Sequence, residues 1–437
     1  MEVLLLMQSR KSYSKVRVML SDTNRARKRL VRNISFTIAK HLKGFQYDVL
    51  SVSEYAKRND ITCIDLSLET NEVLPGPKFA DRVKYPVNAD KGFTLKHPAI
   101  RAYTFHDCMV VGGISFVFMG KTAVVPDGFD LSRYVAELEI SGMAKYLSEG
   151  TKFELWGVPA RRRLEGRGIC LAAEHSANYA HFVTEVLPRF ALVDALPEFK
   201  DFPLILDASV PKKFVAMINR IARHPRDILY VRKGGKLRLG LCVSIEPTAF
   251  TPTQDRLAWP VGQSSDPLPG LHTFSKPAIE YARGRVLSSV SQPESRAGAS
   301  ERVLLIRDRS KSFNKRNVLN WEEIRSKLEE KGFDAYNPAE DIFENQVHRF
   351  AGAELIVSEV GAALVNAMFR VKPCTIWCLA PYFEHADYYY FSNLAQLLGH
   401  ELVYFIGPRS GAEPSPLKEV GDYWVNPEYF DKALESL

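Results

Sequence analysis

The chain has 437 residues, of which 46% are hydrophobic and 25% are charged, and its formal net charge is +7. These values are ordinary for a soluble globular protein, and the length allows two hydrophobic cores. No apolar run approaches the roughly 20 residues of a membrane-spanning helix, and Glu2 before a short apolar stretch is unlike a secretory signal. Six scattered cysteines without zinc-site spacing fit reduced thiols and a cytoplasmic location.

The positive charge is concentrated at the N-terminus. Residues 1–47 hold eleven Lys and Arg but only two acidic residues, so a basic segment is predicted over 1–50. Four apolar residues at four-residue spacing predict an amphipathic helix there: Leu30, Ile34, Ile38 and Leu42. Such a helix packs on its own domain or, alternatively, lies on an anionic membrane surface. Nucleic acid is not expected as a partner, because basic and aromatic residues do not interleave here.

The region 51–290 is predicted to form a first domain with a β-rich beginning. Short β-like runs between 60 and 126 predict a meander of strands with Gly and Pro turns. From residue 168 onward strands and helices alternate, which is typical of a parallel sheet. The helices predicted there are 178–196, 211–223 and 276–289. A long loop is expected at 249–270, and the linker to a second domain at 291–300.

The region 300–410 has the clearest pattern in the chain. Five strand-like runs and four helical runs alternate along it, which predicts a nucleotide-binding type of α/β domain. In such domains, ligands bind at the carboxyl ends of the strands. The last residues, 411–437, are predicted to form a helical tail.

Two segments of this second domain have residue types that suit a diphosphate. Gly361 and Ala362 begin a predicted helix after a strand, and free amides at a helix start can hold a phosphate, although packing alone also explains small residues there. A loop at the same sheet edge is rich in arginine, whose guanidinium pairs with phosphate oxygens. A solvated charge run is the alternative interpretation. The polar residues of this loop are Arg307, Arg309, Ser310, Lys315 and Arg316.

A third candidate segment lies in the first domain. His181, Glu185 and Arg189 are four residues apart and therefore share one helix face, beside an apolar stripe. A histidine with a carboxylate one turn away is a candidate general base, and a structural histidine is the alternative. Pro188 is expected to kink or end this helix and to release the carbonyl of Thr184.

Taken together, these segments resemble glycosyltransferase family 61, which includes bacterial capsular and lipopolysaccharide transferases. Its first signature, an Asn, an aromatic residue, a His and then Glu-x-Leu-Pro-Arg, is matched by Asn178, Tyr179, His181, Glu185, Leu187, Pro188 and Arg189. Its second signature, Arg-Ser with a later Arg and Asn, is matched by Arg309, Ser310, Arg316 and Asn320. Its third, His-Gly-Ala-x-Leu-x-Asn, is matched by Gly361, Ala362, Leu364 and Asn366, with Val360 in place of the His. The likeness covers residues 100–410.

The resemblance implies an α/β fold of the GT-B type, in which two Rossmann-like domains face each other across a cleft. The region 51–290 would be the acceptor side and the region 300–410 the nucleotide-sugar side. The implied reaction is an inverting transfer from a UDP- or CMP-linked sugar, with UDP favoured, to an oligosaccharide or lipid-linked polysaccharide. No obligatory metal is expected, because no Asp-x-Asp lies in an acidic loop and the basic loop can neutralise the leaving group.

Residues and resemblance together predict the roles of individual side chains. The base is predicted to be His181 or Glu185. The donor is predicted to contact Arg307, Arg309, Ser310, Arg316, Asn317, Glu359, Gly361, Ala362, Leu364 and Asn366. The acceptor side is predicted to include Asn178, Tyr179 and Arg189.

The predicted function is therefore a glycosyltransferase that extends a bacterial capsule or lipopolysaccharide. It is expected in the cytoplasm, and on the inner face of the cytoplasmic membrane if residues 1–47 bind that surface. Val360 favours the alternative, a non-catalytic sugar-nucleotide-binding scaffold or regulator, whereas the joint presence of His181, Glu185 and the arginines argues against it. An NAD-type oxidoreductase is disfavoured, because no G-x-G-x-x-G follows a strand.

Overall fold

The computed structural model describes most of the chain, in ten ranges: 44–80, 92–128, 143–148, 151–156, 162–251, 272–290, 301–307, 316–382, 388–410 and 421–437. Nearly all of the basic segment 1–47, most of the predicted loop 249–270 and the predicted linker 291–300 lie outside these ranges. The mixed α/β class predicted from the sequence is confirmed. Among the described residues, no helix has the length and apolarity needed to cross a membrane.

The larger of the two main sheets has eleven strands in the described ranges. They are β1 (Phe45–Ser51), β2 (Cys63–Ser67), β6 (Ile100–Val111), β7 (Val117–Met119), β8 (Thr122–Val125), β9 (Ala144–Ser148), β10 (Lys152–Leu155), β11 (Arg162–Cys170), β12 (Leu204–Asp207), β13 (Ile228–Val231) and β14 (Lys236–Ile245). Their order is β13-β12-β11-β14-β6-β7-β8-β1-β10-β9, with β2 beside β6. The predicted meander is confirmed where β6, β7 and β8 pair antiparallel in succession.

Four strands at one end of this sheet run parallel to one another. Their order, β13-β12-β11-β14, is third, second, first and fourth along the chain, so the order reverses between β11 and β14. The predicted helices of this region are confirmed at Tyr179–Val193, which we name the site helix, and at Lys212–Ile221 and Lys276–Ser289. Helices between parallel strands are what the alternating pattern predicted.

The smaller main sheet has six strands, and every pairing in it is parallel. They are β4 (Lys78–Phe79), β17 (Arg302–Leu305), β18 (Asp334–Tyr336), β19 (Leu355–Glu359), β20 (Thr375–Pro381) and β21 (Glu401–Gly407). The order is β18-β17-β19-β20-β21-β4, so five successive strands are arranged as second, first, third, fourth and fifth. This is a doubly wound order, whose reversal point lies between β17 and β19.

The helices of this second region follow the prediction with one correction. The α-helices are Trp321–Glu330, Phe343–Gly352 and Tyr389–Leu397, and the tail contains Pro427–Glu435. The segment Ala362–Phe369, predicted as an ordinary helix, is a 3-10 helix instead. Its winding is tight because Leu364 N–H bonds to Gly361 O and Arg370 N–H to Ala367 O, each three residues back.

Strand β4 connects the N-terminal region to the smaller sheet. It pairs with β21, and Lys78 forms an ion pair with Glu401 at 2.6 Å. The ring of Phe79 packs on Tyr388 and Tyr404, with centroids 5.3 and 5.7 Å apart. Two small sheets complete the strands: β3 (Thr70–Leu74) with β5 (Phe93–His97), and β15 (Ala249–Phe250) with β16 (Thr273–Phe274). A two-residue strand has no sequence period, so β4 could not be predicted.

The largest hydrophobic cluster contains residues from both the first and the second region of the chain. Phe182 of the site helix and Phe274 of β16 belong to it, together with Phe350 and Phe369 of the second region. All four side chains are fully buried. Because the apolar surface removed from water is shared, this cluster holds the two regions against each other.

Glu246, just after β14, gives a pH-dependent contribution to stability. Burial, together with the charge of Asp127, raises the pKa of this carboxyl from 4.5 to about 7. The folded state therefore holds a proton that the unfolded state releases, so the contribution is complete below pH 4.5 and is lost as pH rises through 7.

As pH rises from 5 to 8, the unfolding free energy of the wild-type protein is expected to change relative to that of Glu246→Gln. The wild type should lose up to about 3 kcal/mol more than the variant over this range. Urea unfolding of both proteins at several pH values measures this difference. A constant difference across the range would contradict the prediction.

Candidate active site

Polar clusters lie at both points where the strand order reverses. The first cluster follows β11 and β14 of the larger sheet, and the second follows β17 and β19 of the smaller sheet. In open α/β sheets, the segments that leave the strands at a reversal diverge and form a crevice where ligands bind. The two clusters therefore occupy the positions at which this architecture usually holds its ligands.

His181, Glu185 and Thr251 form a hydrogen-bonded group in the first cluster. His181 Nδ1 lies 2.7 Å from Glu185 Oε1 and 3.0 Å from Thr251 Oγ1. Thr251 Oγ1 donates to the same Glu185 oxygen. The side chains of His181 and Glu185 are only 6% and 15% exposed, so water competes weakly for these bonds. With Nδ1 directed at the carboxylate, Nε2 is the ring nitrogen that can accept a proton.

The site helix is locally widened at this pair. Residues Phe182–Val186 form a π-helical turn between α-helical turns, a feature that is frequent at functional sites. Pro188 has no N–H to donate to the carbonyl of Thr184, and Thr248 Oγ1 donates to that carbonyl instead, at 2.9 Å. The released carbonyl was predicted, and the helix continues through Pro188 to Val193.

Arg189 is buried and contacts the backbone. Its Nε donates to Glu185 O at 3.0 Å and its Nη2 to Leu171 O at 3.3 Å. Burial lowers the pKa of this guanidinium, while the neighbouring carboxylates, including Glu185, favour its charged form. These contacts hold the turn that presents Glu185, and the predicted acceptor-side role of Arg189 stays a prediction.

Aromatic rings surround the His181–Glu185 pair. The His175 ring lies 4.7 Å from the His181 ring, and the Tyr390 ring lies 6.2 Å from it, centroid to centroid. Tyr390 in turn packs edge-on against His272 and Phe274. Burial raises the pKa of the Tyr390 hydroxyl, so this group keeps its proton at neutral pH. Such rings exclude water and offer apolar faces to a bound molecule.

Asp207, at the end of β12, holds the loop that leads into the site helix. Its carboxylate is buried and accepts from Gly113 N at 2.5 Å, from Ala173 N at 3.0 Å and from Ser176 Oγ at 2.6 Å. Burial raises the pKa of Asp207, and these three hydrogen bonds favour its charged form. Asn178 then caps the site helix, because its Oδ1 accepts from Ala180 N at 2.9 Å.

The second cluster is centred on an ion pair between Arg307 and Glu359. Arg307 Nε lies 2.5 Å from Glu359 Oε2, and Arg307 Nη2 donates to Arg316 O. The other oxygen of Glu359 accepts from Val318 N at 3.1 Å. Asn317 donates through its backbone and its side chain to Asp422, at 2.9 and 3.0 Å. Arg307 and Glu359 thus hold both ends of the basic loop at the sheet, and Asn317 fixes its second end to the C-terminal segment.

The Gly-Ala segment follows β19 directly. Gly361 and Ala362 are partly exposed, whereas Leu364 is buried in the core. Val360, at the position where the third sequence signature has a His, is also partly exposed, and its N–H donates to Leu379 O at 2.8 Å. The amides that begin the 3-10 helix therefore lie at the same strand ends as Arg307.

One hydrogen bond connects the two clusters directly. Tyr179 Oη donates to Asn366 Oδ1, so the first turn of the site helix contacts the 3-10 helix Ala362–Phe369. Asn366 is fully buried, and the Tyr179 ring packs on Phe214 at 5.5 Å. The first and third sequence signatures, which are almost 190 residues apart, are in contact.

Sequence reasoning missed several residues of this arrangement. Thr251 was assigned only to a loop, Asp207 only to a strand, and Tyr390 only to a helix, because lone hydroxyls and carboxylates have no spacing signal. Arg309 and Ser310 lie outside the described residues, and their donor role stays a prediction. Within the described ranges, no group of three His, Cys, Asp or Glu side chains is arranged to hold a metal ion.

One known protein family is similar in sequence to the part of the chain that forms most of this site. Residues 179–378 match the family model described as Glycosyltransferase 61. The match supports a glycosyltransferase enzyme. It covers slightly less than half of the chain and includes His181, Glu185 and Thr251 of the first cluster and Arg307 and Glu359 of the second. No curated protein matches the chain. The predicted enzyme class, a glycosyltransferase, is confirmed.

Proposed function

We propose that this glycosyltransferase is an inverting enzyme that extends a bacterial surface polysaccharide, either capsule or lipopolysaccharide. Its donor would be a nucleotide sugar, UDP-linked in preference to CMP-linked, and its acceptor an oligosaccharide or lipid-linked polysaccharide. The observation that carries the proposal is the His181–Glu185 pair at the reversal point of the larger sheet. A buried, oriented imidazole is suited to general-base catalysis.

Two domains of the GT-B type are part of this proposal. The four parallel strands β13-β12-β11-β14 of the larger sheet and the all-parallel smaller sheet support it, since each provides a crevice at the carboxyl ends of its strands. Residues 51–290 would hold the acceptor and residues 300–410 the donor. The enzyme would work in the cytoplasm, with residues 1–47 on the inner face of the membrane.

The reaction is a single displacement at the anomeric carbon. The acceptor oxygen forms the new bond while the bond from the anomeric carbon to the donor phosphate oxygen breaks, and the nucleotide diphosphate leaves with that electron pair. The proton of the acceptor hydroxyl passes to His181 Nε2. Glu185 stabilises the resulting imidazolium through Nδ1, as a carboxylate does in other His-carboxylate pairs.

The second cluster would hold the leaving diphosphate. Arg307 already has the charge of Glu359 beside it, so its main effect is to position the basic loop. We assign the diphosphate to Arg309, Ser310 and Arg316, together with the amides at Gly361 and Ala362. Fixed cations and amides there would stabilise the charge that develops as the bond breaks, without a metal ion.

A donor panel tests this function. We expect at least one UDP-sugar to raise the melting temperature and to be turned over when an oligosaccharide acceptor is present. Arg316→Ala should raise the donor KM about tenfold, because one charge-assisted phosphate contact is lost. Arg325→Ala, which removes only an ion pair with Glu329 on the helix Trp321–Glu330, is the matched control.

The two negative results of the donor panel reject different parts of the proposal. Binding of every donor without turnover, with acceptors present, would favour the alternative function, a sugar-nucleotide-binding scaffold. Absence of binding by all UDP- and CMP-sugars would reject the donor assignment.

A further inference from the structure

The hydroxyl of Thr251 is in direct contact with the His181–Glu185 pair. Thr251 is 5% exposed and follows β15. Its Oγ1 donates to Glu185 Oε1 and lies 3.0 Å from His181 Nδ1. Because the single hydroxyl proton is directed at the carboxylate, a lone pair of Oγ1 faces Nδ1. The Nδ1 nitrogen must therefore carry the hydrogen that completes the contact.

The backbone before Thr251 is fixed on two sides. On one side, Thr248 Oγ1 donates to Thr184 O at 2.9 Å. On the other, Ser275 N donates to Thr248 O at 2.8 Å, and Phe250 pairs with Thr273 in the adjoining strand. A hydroxyl carried by such a fixed segment has a defined position relative to the site helix.

We propose that Thr251 is a positioning residue that fixes the ring of His181 in the tautomer with hydrogen on Nδ1, leaving Nε2 to take the acceptor proton. Glu185 and Thr251 both accept from Nδ1–H, and the Thr251 hydroxyl also fixes the Glu185 carboxylate. The ring is bounded on its other sides by His175 and Tyr390, and Arg189 holds the backbone of Glu185 from behind. The kinetic part of this inference rests on the proposed function, and the tautomer part does not.

Three substitutions at this position separate the hydroxyl from the rest of the side chain. Thr251→Val keeps the shape and removes the hydroxyl, Thr251→Ser keeps the hydroxyl, and Thr251→Ala provides a smaller variant should the valine protein not fold. Thr273→Val is the matched control, because Thr273 is also buried on the neighbouring strand and its hydroxyl has no hydrogen bond among the described residues.

Two measurements test the proposal. Long-range proton–nitrogen spectra of the imidazoles, with the His181 signals assigned by their loss in His181→Gln, should show hydrogen on Nδ1 in wild type and in Thr251→Ser. Thr251→Val and Thr251→Ala should show a mixture of tautomers. In steady-state assays, these two variants should lower kcat about tenfold with the donor KM unchanged, since one oriented hydrogen bond is lost.

The outcomes distinguish this inference from the proposed function. An unchanged tautomer and unchanged kcat in Thr251→Val would overturn the role of Thr251. An altered tautomer in a protein whose wild type transfers no sugar would retain the positioning role and reject the function instead. Equal losses in Thr251→Val and Thr273→Val would indicate a general effect of strand packing and would also overturn the proposal.

Discussion

His181→Ala is expected to lower kcat for sugar transfer by a factor of about 10² to 10⁴, the usual contribution of a positioned general base. The ring that would take the proton is removed, while the donor contacts lie at the other reversal point. The donor KM and the donor-induced rise in melting temperature should therefore remain close to wild type.

Glu185→Gln provides the complementary measurement. The amide retains the size of the carboxylate but cannot stabilise an imidazolium, and it can present an N–H to Nδ1 where an acceptor is needed. We expect kcat to fall by about 10² with His181 still present, by analogy with the orienting carboxylate of His-carboxylate pairs. If Glu185 itself were the base, Glu185→Gln would be the more damaging substitution.

Controls for these variants are available in the same chain. His224 is exposed in the turn that follows the helix Lys212–Ile221, and His224→Ala should leave kcat unchanged. The double variant with His181→Ala and Glu185→Gln should be no slower than His181→Ala alone, because the two residues act as one unit. Full activity in both single variants would reject the proton-transfer assignment.

Asp194→Ala is expected to destabilise the protein by about 3 to 5 kcal/mol, the cost of leaving a buried charge without its partner. Asp194 follows the site helix, and its side chain is fully buried against Arg226, whose side chain is 2% exposed. The carboxylate accepts from Arg226 Nε at 3.1 Å and Nη2 at 2.9 Å, from Arg223 N at 2.8 Å and from Arg285 Nη2 at 3.2 Å. All of these donors lose their acceptor in the alanine variant.

Urea unfolding measures this change in the free energy of unfolding. Asp65→Ala is the control, since Asp65 pairs with Arg101 at 2.7 Å but is 70% exposed, and such surface pairs contribute less than about 1 kcal/mol. If Asp194→Ala does not fold, Asp194→Asn keeps part of the hydrogen bonding and should still lose more stability than Asp65→Ala. Similar losses of unfolding free energy in Asp194→Ala and Asp65→Ala would show that burial does not increase the contribution of the Asp194 ion pairs to stability.

The sequence predicted the helices and strands of the second region and the relation of His181 to Glu185. Alternation of apolar runs and helical runs predicts β17 to β21 in order, and four of these strands, β17, β19, β20 and β21, are mostly buried. The four-residue spacing of His181 and Glu185 places them on one helix face in any helical context, and the 2.7 Å contact follows from it. These are local properties, set by neighbouring residues and the helical period.

The tertiary structure decided which distant groups complete the site. Thr251 reaches the His181–Glu185 pair because β14 lies beside β11, a pairing that no local pattern specifies. No local pattern specifies the contact of Tyr390 with His181, the contact of Asn366 with Tyr179, or the pairing of β4 in the second sheet. Local periodicity therefore determined the helices and strands that carry the two polar clusters. The contacts between them depend on long-range strand order and on the buried core that the two regions share.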